Sequence, residues 1–265
     1  MHNESRKIWL VALFTLMLAV PAGAQEQSLA TQNGERIHPH AFQVGEKLDF
    51  DISFEFVKGG TARMQVSEIA DIQGNRCYHF VSTAKSTLTV DHIYKVRDQI
   101  DSWRDVEGGF TRLYKKKLRE GKYKSDKRVE YFPEDSTAFM YRRTDAKPET
   151  LSVTGHVQDV LSALYDVRTF DLKVGEPIYI DLHDIDKRYI LKIDVLGKER
   201  VKVPAGTFDC IIVEPLLTSS GIFRKEGAIQ VWLTDDANHM PVLMKSKLYF
   251  GRVWAKLTKY DLGGK

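Results

Sequence analysis

Eight histidines are the side chains of this chain best suited to bind a metal or move a proton near neutral pH. Their spacing serves neither task. His38-Pro39-His40 is a local pair in a polar stretch, and His79, His92, His156, His183 and His239 are scattered. No His-Glu-x-x-His or Cys-x-x-Cys exists, so the usual zinc spacings are missing. No Gly-x-Ser-x-Gly elbow presents a nucleophile, and Ser219-Ser220-Gly221 reads as a turn. Asp235-Asp236 suits a hairpin turn better than an acid–base pair. Glu107-Gly108-Gly109 lacks the spacing and the following helix of a phosphate loop. The sequence predicts no catalytic residue, no metal and no cofactor, and hence a protein that is not an enzyme.

The residues able to bind are aromatic and basic. Phe50, Phe54 and Phe56 alternate along one segment, Trp103 and Trp232 stand at matched places, and Tyr165 and Arg168 share a helix face. Phe50, Phe54, Trp103, Tyr165, Arg168 and Trp232 are therefore candidates to hold an apolar or amphipathic ligand; core filling is the competing account. Lys115, Lys116, Lys117, Arg119 and Lys122 crowd one hairpin, a candidate contact for an anionic surface or a charged edge that blocks strand addition. Cys77 and Cys210 follow matched glycine turns. They form a disulfide if their Cα atoms come within about 7 Å, or remain buried thiols.

The elements that must position these side chains occur in two sets. Val44-Gly45-Glu46 returns as Val174-Gly175-Glu176, 130 residues on (174 − 44). Ile100-x-x-Trp103 returns as Ile229-x-x-Trp232, and Lys117-Leu118-x-x-Gly121-Lys122 as Lys247-Leu248-x-x-Gly251-Arg252. Such self-similarity predicts two repeats, at about 44–132 and 174–261. Residues 48–56 alternate apolar and polar without a fault, which is a strand with one buried face. About six such strands fall in each repeat. Between them Val157, Val160, Leu161 and Leu164 form an i, i+3, i+4, i+7 stripe, a helix in a linker at about 154–170, with Thr154 or Gly155 as its cap. The fold class is all-β: an antiparallel two-repeat barrel or strongly curved open sheet with one intervening α-helix. That helix should cover an open end or face of the sheet and present Asp159 and Ser162, Tyr165 and Arg168 on its polar side.

Arg6 and Lys7, an apolar run from Ile8 to Val20, and Ala22-Gly23-Ala24 read as a signal peptide at 1–24. A polar leader at 25–41 and a single β domain at 42–262 follow. With Lys+Arg 39 against Asp+Glu 36, the chain has no bulk charge to attract nucleic acid. Four phrases then combine: Phe42-Gln43-Val44-Gly45-Glu46-Lys47-Leu48, the segment Asp159 to Arg168, Val203-Pro204-Ala205-Gly206-Thr207-Phe208-Asp209-Cys210, and Val231-Trp232-Leu233-Thr234-Asp235-Asp236 with Pro241-Val242. Together they resemble the exported bacterial proteins grouped as domain of unknown function 3108. The resemblance implies an envelope protein rich in antiparallel β-structure and carries no catalytic residue. The reading is a periplasmic, non-catalytic protein that binds a lipid-like envelope molecule. Its alternative is an envelope scaffold using the basic hairpin or an edge strand. No integral membrane segment and no nucleic-acid partner are expected.

Overall fold

The computed structural model describes residues 34–143, 146–153, 155–219, 222–223, 229–248 and 251–264. The predicted signal peptide and residues 25–33 of the leader lie outside them. The chain runs β1 (Lys47–Phe54), β2 (Val57–Ile72), β3 (Asn75–Ser86), a single-turn helix α1 (Leu88–Asp91), β4 (Arg97–Asp105), β5 (Thr111–Glu120), β6 (Tyr123–Phe132), β7 (Thr137–Tyr141) and β8 (Glu149–Ser152). Then come α2 (Val160–Asp166), β9 (Ile178–Asp184), β10 (Lys187–Val203), β11 (Gly206–Ser219), β12 (Ile222–Phe223), β13 (Ile229–Thr234), β14 (Pro241–Leu248) and β15 (Gly251–Asp261).

All fifteen strands belong to one antiparallel sheet. Its path runs from β8 back to β1, crosses to β15, and ends at β9; β12 pairs with β11 off that path. Sequence alternation explains the inner face. Leu48, Phe50 and Ile52 of β1 are buried, while Asp49 and Asp51 point outward to Arg63 (2.6 Å) and Lys58 (2.7 Å). The two halves share more than strand order. Gly45 N–H donates to Val66 O and Gly175 N–H to Val195 O, both at 2.9 Å. A bulge at Val66/Glu68 has its counterpart at Val195/Gly197, and one at Trp103/Arg104 has its counterpart at Trp232/Leu233. Extra twist at bulges helps a sheet of this length curl on itself.

The sheet does not close through its backbone. Between the edge strand β9 and the start of β5 runs the segment around Gln158. Its N–H donates to Asp181 O, its carbonyl accepts from His183 N–H, and Val157 O accepts from Thr111 N–H. Helix α2 lies in the concave space and packs against β3, β4 and β9. The helix therefore covers a face of the sheet, the inner one. Its cap is Asp159, not Thr154 or Gly155. The structure also has the extra turn α1, and β7 and β8 continue the sheet beyond residue 132, the expected end of the first repeat.

The first hairpin also differs from the alternation pattern. The chain turns at Glu55-Phe56, with Glu55 at φ 50°, and not at Gly59-Gly60. Phe56 therefore leaves the strand and does not share a face with Phe50 and Phe54. Gly60 lies inside β2 for a packing reason: a Cβ there would sit 2.6 Å from Lys85 O on β3. Among the described residues no helix is long and apolar enough to cross a membrane.

Candidate functional site

Helix α2 is pinned by a buried polar network. The Asp159 carboxylate accepts the Leu161 and Ser162 N–H groups at 2.8 and 3.0 Å, while Ser162 Oγ accepts the Asp159 N–H at 2.9 Å. This is a reciprocal capping box. The second oxygen of Asp159 accepts from Ser102 on β4 and from Thr111 on β5 (2.8 Å). Burial pushes the Asp159 carboxyl upward, and these hydrogen bonds work against that shift. At the other end, Asp166 holds Arg104 of β4 (2.5 Å) and Arg36 (2.9 Å). One turn on, Arg168 makes a fully buried two-pronged pair with Glu46, both contacts 2.7 Å, and also donates to Ala41 O and Asn238 O. Tyr165 stacks on Phe80 of β3 at 4.0 Å.

Most of these bonds and rings draw α2 toward the first half of the sheet. Facing the second half it presents only Val160, Ala163, Leu164 and, just beyond its end, Val167. There the space between helix and sheet is not filled. A narrow cavity of about 60 Å³, open on one side, lies between those residues and Leu182, Leu191, Ile193, Val213, Pro215, Ile229, Val231 and Met244. Every lining residue is apolar. That volume is well below the range of pockets that enclose a whole small ligand, so it suits the end of a hydrocarbon chain, and an apolar enclosure is a poor host for water.

None of Phe50, Phe54, Trp103, Tyr165, Arg168 or Trp232 lines this pocket. Phe50 and Tyr165 are buried in the first-half core, and Phe54 packs at the rim against Gly251. Trp103 is stacked on His79 at 4.2 Å and topped by the Lys115 ammonium, which puts it on the outer face. Trp232 donates its indole N–H to Glu199, opposite the inward Val231 by strand alternation. Arg168 is occupied by Glu46. The polar side of the helix is buried, where Asp159 and Ser162 cap it and Arg168 docks it on the sheet. Alternation could have found the true lining: Leu191 and Ile193 stand two apart in a plainly alternating strand, and Val160 and Leu164 belong to the helix stripe.

The basic hairpin divides in the same way. Lys115 and Lys117 are exposed, but Lys116 between them points inward to Asp184 (3.3 Å) across the open seam. The three lysines therefore cannot act as one surface block. Arg119 pairs with Asp126 (2.6 Å), and Lys122 stands exposed at the hairpin tip. Beside Lys116, Tyr114 donates to Asp184 (3.1 Å), and the Tyr131 hydroxyl meets His183 Nδ1 at 2.9 Å. Burial lowers His183 to about 4 and lifts both tyrosines well above their usual value. Cys77 and Cys210 are both free and buried, each pushed up to about 12 chiefly by burial, so the alternative of a bridge between them is not realised. Among the described residues no three His, Cys, Asp or Glu side chains are grouped to hold a metal.

The family described as Protein of unknown function (DUF3108) matches residues 49–258. No curated protein matches the chain. Among solved structures, a beta-barrel-like protein of the domain of unknown function DUF1849 from Brucella abortus superimposes with a TM-score of 0.58 at 15% identity, covering 84% of this chain and 99% of that one. At that identity the likeness establishes the barrel-like fold alone. A protein described as exported, with a YmcC-like fold, from Bacteroides fragilis gives 0.36 at 11% identity, over 83% of this chain and 97% of its own. A protein described as a lipoprotein from Parabacteroides distasonis gives 0.39 at 13% identity, over 83% and 98%.

Proposed function

Because the chain belongs to the family described as Protein of unknown function (DUF3108), we propose its role from its own pocket: it binds the hydrocarbon part of a lipid-like molecule and performs no chemistry on it. One observation carries this reading, the wholly apolar lining between α2 and the second half of the sheet. Such a lining offers no hydrogen bond, so it selects for an acyl or similar chain through burial of apolar surface, at about 25 cal/mol per Å². A polar headgroup would stay outside. The signal peptide read in the sequence at 1–24 supports a periplasmic location for this role.

Native mass spectrometry of protein purified from the envelope, and uptake of a fluorescent hydrocarbon probe by the delipidated protein, test this. The wild type should carry or take up one apolar molecule. Ala163→Phe fills the pocket from the helix side and should lower probe affinity at least about tenfold, since one excluded side-chain-sized contact is worth more than 1.4 kcal/mol. The absence of both a bound lipid and probe uptake in the wild type rejects the reading.

A further inference from the structure

We propose that one end of the barrel docks on an anionic lipid bilayer surface. Three turns meet there. Thr87 N–H donates to Gly59 O (2.9 Å), which ties the β3–β4 connection to the first hairpin. Gly121 N–H donates to Lys95 O (2.7 Å), and Val96 bridges Glu120, which ties in the β5–β6 tip. On these turns stand the four most exposed large apolar side chains of the described residues: Phe56 at 98%, Ile93 at 88%, Leu88 at 80% and Val57 at 69%. Tyr123 is beside them. No packing requirement of the fold explains their gathering at one end. The next most exposed, Val174, precedes β9 and lies at the opposite end.

The charge around the patch has one dominant sign. Lys85, Lys95, Lys122 and Lys124 are exposed. Of the nearby carboxylates, Asp91 is held by Arg97 (2.5 Å) and Glu55 accepts the Arg252 N–H (2.7 Å). The apolar tips project from three turns, and the cleft beside them, lined by Ile52, Gly60, Lys85 and Val96, has room for only about 10 Å³, too little to seat a helix. Isolated apolar tips ringed by lysine suit a fluid surface, where each tip enters the headgroup boundary and each ammonium finds an anionic phosphate. The interfacial preference of tyrosine fits Tyr123 at the margin. The pocket lies toward the same end. Its lining residues Leu182, Leu191, Pro215 and Ile229 fall in the parts of their strands nearest it, because Phe54 pairs with Val253 and so places the β14–β15 turn beside the first hairpin. The docking face stands on the patch alone; its use for passing a hydrocarbon between bilayer and pocket rests on the ligand reading above.

Flotation with vesicles of phosphatidylethanolamine and phosphatidylglycerol tests the docking. The wild type should float with them, less at high salt, and far less with vesicles of phosphatidylcholine alone. F56D combined with I93D should weaken vesicle binding at least about tenfold with an unchanged melting temperature, since both side chains are outside the core. A163F should float like the wild type while losing probe uptake, which separates failure of the pocket from failure of the docking face. Wild-type protein that stays unbound, a double variant that floats equally well, or binding to an envelope protein but not to lipid each overturns the proposal.

Discussion

Glu46 and Arg168 show how one residue type takes two fates. Glu46 and Glu176 occupy the same place in the repeated Val-Gly-Glu phrase, yet Glu46 is buried and paired with Arg168 whereas Glu176 is exposed. A buried pair with this many hydrogen bonds tolerates loss of both charges far better than loss of one. Glu46→Gln should therefore cost about 3–5 kcal/mol in urea unfolding, because the guanidinium stays buried without its counter-charge. Glu46→Leu combined with Arg168→Met should recover a large part of that loss. If the single and double variants are equally destabilised, the pair is not the source of the effect.

Helix α2 has seven residues, too few to persist on intrinsic propensity. It is held by its cap and by its docking. Asp159 satisfies two helix N–H groups and two side-chain hydroxyls from neighbouring strands, so Asp159→Ala removes the cap and the acceptor of the Ser102 and Thr111 hydroxyls, of which Thr111 keeps Ser162 Oγ as a partner. The expected cost is about 2–4 kcal/mol, the sum of a lost cap and of a buried hydroxyl left unpaired. Asp159→Asn keeps an acceptor for the helix and should retain most of the stability. Equal loss in both variants would show that the charge, and not the hydrogen-bond geometry, secures the helix. The same anchoring leaves the pocket on the other side: a helix tied to β4 and β5 cannot also fill the second half.

At the scale of the whole molecule, the open sheet is completed by side chains where its backbone ladder stops. Lys116 and Tyr114 reach Asp184, and Tyr131 reaches His183, all between the first half and the edge strand β9. His183 links this seam to pH. Its folded value of about 4 lies below its ordinary 6.5, so below pH 6.5 the unfolded chain takes up a proton that the folded chain refuses. Stability is then complete above pH 6.5 and falls as pH drops toward 4, by at most roughly 3 kcal/mol. His239, also lowered by burial, acts with the same sign. Urea midpoints followed from neutral to mildly acid pH should decline in the wild type and decline less in His183→Gln. An identical slope in that variant would remove His183 from the seam's pH response.

The alternation of residues 48–54 and the helix stripe were legible because local periodicity reports which face a side chain must hide. For the same reason Lys116 could have been separated from Lys115 and Lys117 by counting in twos. The hairpin turn at Glu55-Phe56 was not legible, because alternation runs through it and Gly59-Gly60 is the stronger local signal. Nor could any local pattern show that Arg168 meets Glu46, 122 residues earlier. All-β class, the order of strands and the absence of recognisable catalytic spacing came from the chain itself. Which side of the interior the helix leaves unfilled, and which turns gather at one end, were decided by long-range packing, since both depend on contacts between segments that sequence spacing does not relate.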